Sequence, residues 1–180
     1  MAYISEISNK PLERGNDKNQ DQTFDLLEKI NIEFSCVSND VVETMEECEE
    51  LDKVLGVEIR KSLLVRNQKK TRYYLVVMPA SKRCDMKELA LLLDENKLSF
   101  ASSSDMLSLL NSIPGSLSIM GLINDKDNRV QLVFDKSVLA SEYFGCNTGT
   151  NKSHLKLKTS DVIDKILPSI NHEPIIVDIK

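Results

Sequence analysis

Apolar positions along this chain keep either a helical or a strand spacing, and the changes between the two divide it into elements. Phe24, Leu26, Leu27 and Ile30 predict a short helix, and "IEFSCV" then alternates as a strand. Over "DVVETMEECEELDKVLGVE", Val42, Met45, Cys48, Leu51 and Leu55 recur every three or four residues. That is one face of a helix whose other face is acidic, and Gly56 ends it. "SLLVRN" and "TRYYLVVMP" are two β-type runs joined by the polar "QKK", which reads as a hairpin. Asp85 followed by Glu88 is a capping box for a helix in "DMKELALLLDEN". "KLSFAS" reads as a strand and "SSDMLSLLNS" as a Ser-capped helix.

After "IPGSLSIMGLI" the sequence "NDKDN" reads as a hairpin turn leading into the strand "RVQLVFD". A strand "HLKLKT", a helix "SDVIDKILPSI" and a strand "PIIVDI" complete the chain. Strands outnumber helices and connect mostly as hairpins. The expected fold class is therefore α+β, a mixed, largely antiparallel sheet with helices packed on it. Residues 1–20 show no apolar period and read as a polar, mobile tail before one domain at 21–180.

Composition narrows the function classes. A chain of 180 residues with 41% hydrophobic content holds one domain with a real core, and without Trp that core is mostly Leu, Ile and Val. No apolar run approaches the roughly 20 residues that span a bilayer. The N-terminus lacks a secretory pattern, so the expectation is a cytoplasmic protein with no membrane partner. The cysteines Cys36, Cys48, Cys84 and Cys146 form no CxxC and have no His pair nearby. Reduced, mostly buried thiols are expected, with no metal site and no cofactor.

Nucleophilic catalysis is hard to assemble from these residues. His172, in "NHEP", reads as a surface turn residue. His154 has Ser153 beside it, but neighbouring strand residues point to opposite faces. GxSxG, Walker A and GxGxxG are all absent, and "NDKDN" lacks the Gly and distal Glu of a calcium loop.

Charge changes the picture most. The net charge is −5, yet Arg60 to Arg83 holds eight Lys or Arg and no Asp or Glu, so the rest of the chain sums to −13. That balance argues against broad DNA binding but leaves room for a small polyanion-docking patch. Lys61 stands at the entry of an apolar strand, where burial is costly unless something anionic or polar meets it. A surface pairing with the acidic helix is the alternative. Gly115, after Pro114, is either a turn glycine or a bend that lets a substrate approach bare backbone N–H groups.

The segments "RKSLLVRNQKKTRYYLVV", "KRCDMKELALLL", "NKLSFAS", "IPGSLSIMGLINDKDNRVQLVFDKSVL" and "HEPIIVDI" follow one another as in the YbaK/ProX superfamily. The chain most resembles its freestanding PrdX/ProX-type aminoacyl-tRNA deacylases, relatives of the editing domain inserted in prolyl-tRNA synthetases. The resemblance runs from about Gln22 to Lys180. It implies the YbaK-like fold with a barrel-like core, and hydrolysis of the ester between a wrong amino acid and the 3′ end of a tRNA. Alanine on proline tRNA is the commonest substrate in the family.

The resemblance implies that the essential lysine is Lys61, followed by Ser62 where relatives often have Asn. Arg66 and Lys97 would meet the terminal adenosine or acceptor stem, and the loop at Gly115 and Ser116 would bring amides to the substrate. Lys69, Lys70 and Arg72 of the hairpin would join Arg66 on the tRNA backbone. Two departures stand out. Where relatives show "FHPxxN", this chain has "GCNTGTN", placing Asn147 at the histidine position and keeping Asn151. Before Gly121, Met120 replaces an aromatic residue that would shape the substrate pocket. The alternative reading is a non-catalytic regulatory module of the same fold that binds an amino acid or aminoacyl-tRNA.

Overall fold

The computed structural model describes residues 3–180; Met1, Ala2 and the side chain of Met45 lie outside the described residues. Two sheets form the frame. A three-stranded antiparallel sheet has the order β1 (Phe34–Ser38), β7 (Ser153–Lys158), β6 (Tyr143–Asn147). A five-stranded sheet runs β4 (Leu98–Phe100), β2 (Lys61–Asn67), β3 (Tyr73–Met78), β5 (Val130–Asp135), β8 (Ile175–Val177). Within it β2 is antiparallel to β3 and β4, whereas β5 is parallel to both β3 and β8. The α+β expectation holds, with the hairpin "SLLVRN…TRYYLVVM" at its centre.

Alternation along the central strands explains their apolar runs. Leu64, Leu75, Val77, Leu132 and Phe134 enter the main core. There they meet helix α1 (Lys18–Lys29), helix α4 (Ser103–Leu110) and a 3₁₀ helix at Ile119–Asn124. Val65, Tyr74, Val76, Met78 and Val133 point the other way, onto helix α3 (Met86–Leu92) and the C-terminal Val177 and Ile179. A sheet covered on both faces reads as a near-continuous apolar stretch, as "YYLVVM" does. Helix α2 (Met45–Leu55) carries a Thr44/Glu47 capping box and packs Leu51 and Leu55 on Val37 of the smaller sheet. Gly56 terminates it at φ 70°, a left-handed conformation that suits glycine. Among the described residues no helix is long and apolar enough to cross a membrane.

Four expectations need correction. The N-terminal segment is not a free tail to residue 20. Ser5 and Ser8 hydrogen-bond the backbone of β1, Arg14 pairs with Asp25 and Glu28, and Asp17 caps α1 from Lys18. Polar side chains tie this segment down, so an apolar period gives no sign of it. The strand β6 has no counterpart in the sequence reading, because "YFGCN" carries a glycine and an asparagine where a strand pattern is sought. The turn at Asp125–Asn128 is not a hairpin, since β5 enters the sheet parallel to β3.

His172 is likewise buried, not on a surface turn. Its Nε2 lies 3.0 Å from Asp125 Oδ2, and that carboxylate also accepts the backbone N–H groups of Arg129 and Val130. The thiols are free, with Cys36 and Cys146 buried, Cys84 half-buried and Cys48 exposed.

Besides sharing the main core, the two sheets are joined at a backbone seam, where Ile59 pairs in parallel with Gly145 and the Arg60 N–H donates to Gly145 O at 2.9 Å. A Cβ on Gly145 would stand 2.6 Å from Glu58 O and 3.0 Å from Val57 Cγ1. Backbone cannot yield that much space cheaply. Gly145→Ala is therefore expected to lower stability by about 1–3 kcal/mol, read as a reduced urea midpoint at unchanged slope. An unchanged midpoint would show that the seam tolerates a wider spacing.

Candidate active site

The region around Gly115 is built by local turn chemistry. Ile113 to Ser116 form a type II turn: Pro114 fixes its second position, Gly115 takes φ 86° at the third, and Ser116 N–H donates to Ile113 O at 3.0 Å. Pro114 and Gly115 are exposed while Ser116 is buried. Ser118 then caps the 3₁₀ helix by accepting from Met120 N–H, and its hydroxyl donates to Asn147 O at 3.2 Å. Asn147 Nδ2 donates to Leu117 O at 3.2 Å, and its Oδ1 accepts Gly149 N–H at 2.8 Å. The loop before the 3₁₀ helix is thus stitched to the β6–β7 connection. Asn151 joins them, its Nδ2 standing 3.7 Å from where a Cβ of Gly115 would lie.

A polar network holds this connection from behind. Thr23 Oγ1 donates to Thr148 O at 2.8 Å and Ser153 Oγ to Gln20 Oε1 at 2.6 Å. Asn39 Nδ2 donates to Asn151 O at 2.9 Å, and its Oδ1 accepts from His154 Nδ1 at the same distance. A cavity of about 300 Å³ opens beside the bend, lined among others by Asn19, Asn111, Ile113, Ser116, Gly149 and Thr150. Sequence reading missed Gln20, Thr23 and Asn39 as partners of this region. Each is an ordinary polar residue until the chain returns to it more than a hundred residues later.

Lys61 and Ser62 begin β2 just past the seam, beside the strand that ends at Asn147. Alternation sets Ser62 on the side of Leu64 and the main core, and Lys61 on the side of Leu63 and Val65. The Lys61 ammonium is half-buried. It donates to the carbonyl oxygens of Lys82 and, at 3.5 Å, Ala80, in the segment that follows β3. It does not pair with the acidic helix α2, and it is not among the residues that line the cavity at the bend. Lys82 is itself anchored, its Nζ lying 2.9 Å from the fully buried Asp135. Asp135 also accepts from Ser137 and from Ile179 N–H.

The remaining candidates lie elsewhere. Arg66 pairs with Asp105 at 2.7 Å, both about four-fifths buried, and Asp105 also completes the capping box of α4. That arginine ties β2 to a helix. Met120 and Gly121 are core residues: Met120 is 2% exposed, and a Cβ on Gly121 would come 3.2 Å from Leu110 Cβ. Lys97 is exposed at the head of β4, at the far end of β2 from Lys61, since Leu98 pairs with Asn67. Gly115, Ser116, Asn147 and Asn151 therefore form one group, and Lys61 and Ser62 belong to β2 of the five-stranded sheet, outside the lining of the cavity at the bend.

The titratable groups around this region favour neutral forms. Burial pushes the Cys146 thiol up to about 12 and also raises Cys84, outweighing the opposite pull of Lys61. Neither supplies a thiolate near neutrality. Burial holds the His154 imidazole down to about 4, and at 6% exposure it is closed to a substrate. No group of three His, Cys, Asp or Glu residues is placed to hold a metal ion among the described residues. What the group around Gly115 offers is an exposed glycine bend and fixed amide dipoles, while the Lys61 ammonium lies apart from it, held by the Ala80 and Lys82 carbonyls.

Comparison with known proteins gives the family. Residues 40–165 match the family described as the aminoacyl-tRNA editing domain. The chain is 30% identical over 141 residues to the prolyl-tRNA editing protein ProX of Acetoanaerobium sticklandii, covering 78% of this chain and 85% of that protein. It is 24% identical over 155 residues to the prolyl-tRNA synthetase associated domain-containing protein 1 of Danio rerio, with 85% and 83% covered. The crystal structure of a candidate trans-editing enzyme for prolyl-tRNA synthetase superposes with a TM-score of 0.66 over 92% of this chain and 99% of that one, at 16% identity, which speaks for the shared fold. The chain belongs to the aminoacyl-tRNA editing domain family.

Proposed function

We propose that this chain is a trans-editing hydrolase that removes alanine from mischarged proline tRNA, working in the cytoplasm. The class of enzyme, an aminoacyl-tRNA deacylase, follows from the family. The observation that carries the substrate is the 30% identity, across most of both chains, to a protein named for prolyl-tRNA editing.

Water adds to the ester carbonyl, the bond from carbon to the terminal ribose oxygen breaks, and that oxygen takes up a proton. An activated ester needs orientation and charge more than a strong nucleophile. Lys61 has the role of gripping the anionic or carbonyl end of the substrate at the mouth of β2. Donating to carbonyls while unbound, its three N–H groups can turn to a better acceptor. The oxyanion falls to the Gly115 N–H, because the Ser116 N–H is already spent on Ile113 O. Asn147 carries no proton to shuttle, so the substrate's own neighbouring hydroxyl has to orient the water.

The test is ester loss from alanyl-, cysteinyl- and seryl-tRNA incubated with the purified chain. Selective loss from alanyl-tRNA(Pro) is the expected result. Tight binding without loss of any ester would instead identify a non-catalytic module of this fold.

A further inference from the structure

Asp135 is a fully buried carboxylate at the end of β5, and the roles given above to the site leave it unused. It stands near Lys61. Phe134 pairs with Val77 and Lys61 with Met78, so Lys61, Met78 and Asp135 lie in a row across three neighbouring strands. Alternation turns both charged side chains to one face, the face of Leu63 and Val65 on β2 and of Val133 on β5. Two interstrand spacings separate them, about 10 Å between Cα atoms, within the combined reach of a lysine and an aspartate. Yet it is Lys82 that takes this carboxylate. Its Nζ lies 2.9 Å from Asp135 Oδ2 and donates to Ile179 O at 2.5 Å, while Ile179 N–H and the Ser137 hydroxyl also donate to Asp135. The turn that carries Lys82 is held at two further points: Lys82 N–H donates to Pro79 O at 3.1 Å and Ala80 N–H to Glu58 Oε1 at 2.8 Å. Lys61 is left with two neutral acceptors, Ala80 O and Lys82 O.

We propose that Lys82 is a positioning residue for Lys61: by occupying Asp135 it keeps a buried carboxylate from capturing the ammonium that the substrate needs. The inference rests on the role given to Lys61 above and names what keeps that lysine available. The physical reason lies in the two kinds of acceptor. A hydrogen bond to a neutral carbonyl is weak enough to be exchanged for one to a substrate oxygen. An ion pair with a buried carboxylate is not, because leaving it strands an uncompensated charge away from water. Glu58 offers no rival trap, since its two oxygens are committed to Ala80 N–H and to Arg60 Nη1. The same contact does a second job: with Lys82 fixed on Asp135, the turn that presents both carbonyls to Lys61 stays in place.

The test is Lys82→Met, alone and combined with Asp135→Asn, and each of wild type and Lys82→Met with and without Lys61→Ala. On mischarged tRNA, kcat/KM of Lys82→Met should fall by about 100-fold, because Lys61 then pairs with Asp135. Adding Asp135→Asn removes the charge but keeps an oxygen for Ile179 N–H, and should return kcat/KM to within about tenfold of wild type. Urea unfolding gives a readout independent of the reaction. In wild type, Lys61→Ala should change the unfolding equilibrium constant by less than about threefold. In Lys82→Met it should raise that constant by about 100-fold or more, Lys61 having become the only countercharge of Asp135. Equal kcat/KM for Lys82→Met and wild type would overturn the proposal, as would a folded Lys82→Met/Asp135→Asn no faster than Lys82→Met. So would a Lys82→Met chain that fails to fold, since Lys61 had then not reached Asp135. If the combined variant did not fold, the urea comparison would decide in its place. If wild type cleaved no ester, the editing function would fail, and the urea comparison alone would decide whether Lys82 keeps Lys61 from Asp135.

Discussion

Lys61→Ala is expected to slow ester hydrolysis on mischarged tRNA by about 100-fold to 1,000-fold, the usual consequence of removing one preorganised charge or donor. Stability should barely change. The ammonium is half-exposed and contacts only two carbonyl groups, so a urea midpoint close to wild type is the companion result. The pair of measurements separates two roles. If Lys61 grips the substrate, kcat/KM collapses on a folded, equally stable protein. If it merely fastens the segment after β3, the midpoint falls and activity follows it down. A variant with near-wild-type turnover would remove Lys61 from the mechanism altogether. Its side chain lies across β2 from Ser62, so a lysine that works must leave the Ala80 and Lys82 carbonyls when substrate arrives.

The second large effect concerns pH. His154 stays neutral in the folded protein down to about pH 4, because burial disfavours its charged form, while an exposed imidazole titrates near 6.5. Between those values the unfolded chain binds a proton that the folded chain refuses. Stability therefore falls as pH drops from about 6.5 to about 4, by roughly 3 kcal/mol over the window. Unfolding free energies of wild type and His154→Gln, measured from pH 7 to pH 4, should diverge by that amount, the wild type losing more. Parallel curves would show that His154 takes up its proton in place. An NMR titration of the His154 ring, with a midpoint near 4 expected, gives the answer even if the variant folds poorly.

What makes these two residues different is how much of their role was visible in the chain. Lys61 stands out in the sequence because a charge at the entry of "SLLV" demands an explanation. The hairpin, the Gly56 and Asp85 caps and the Pro114–Gly115 turn are equally plain, for each is enforced by residues within a few positions. His154, by contrast, reads only as a lone imidazole. Its burial against Asn39 depends on β1 and β7 pairing across the whole domain. The same holds for Arg66. It looks like a cation free for phosphate until α4 folds back and places Asp105 against it.

Local chemistry along the chain was enough to determine the α+β class, most of the strands and helices, and one basic segment in an acidic protein. Those features obey periodicity, capping and turn preferences that act over a few residues. Tertiary structure alone decided that β5 runs parallel to β3 and that "YFGCN" is a strand. It also decided that Asn147 joins the bend to the smaller sheet and that Lys82, not Lys61, takes Asp135. Each of these depends on which distant segments come to lie side by side, and that choice is made by burying shared apolar faces, a property of the whole chain that no short stretch of it carries.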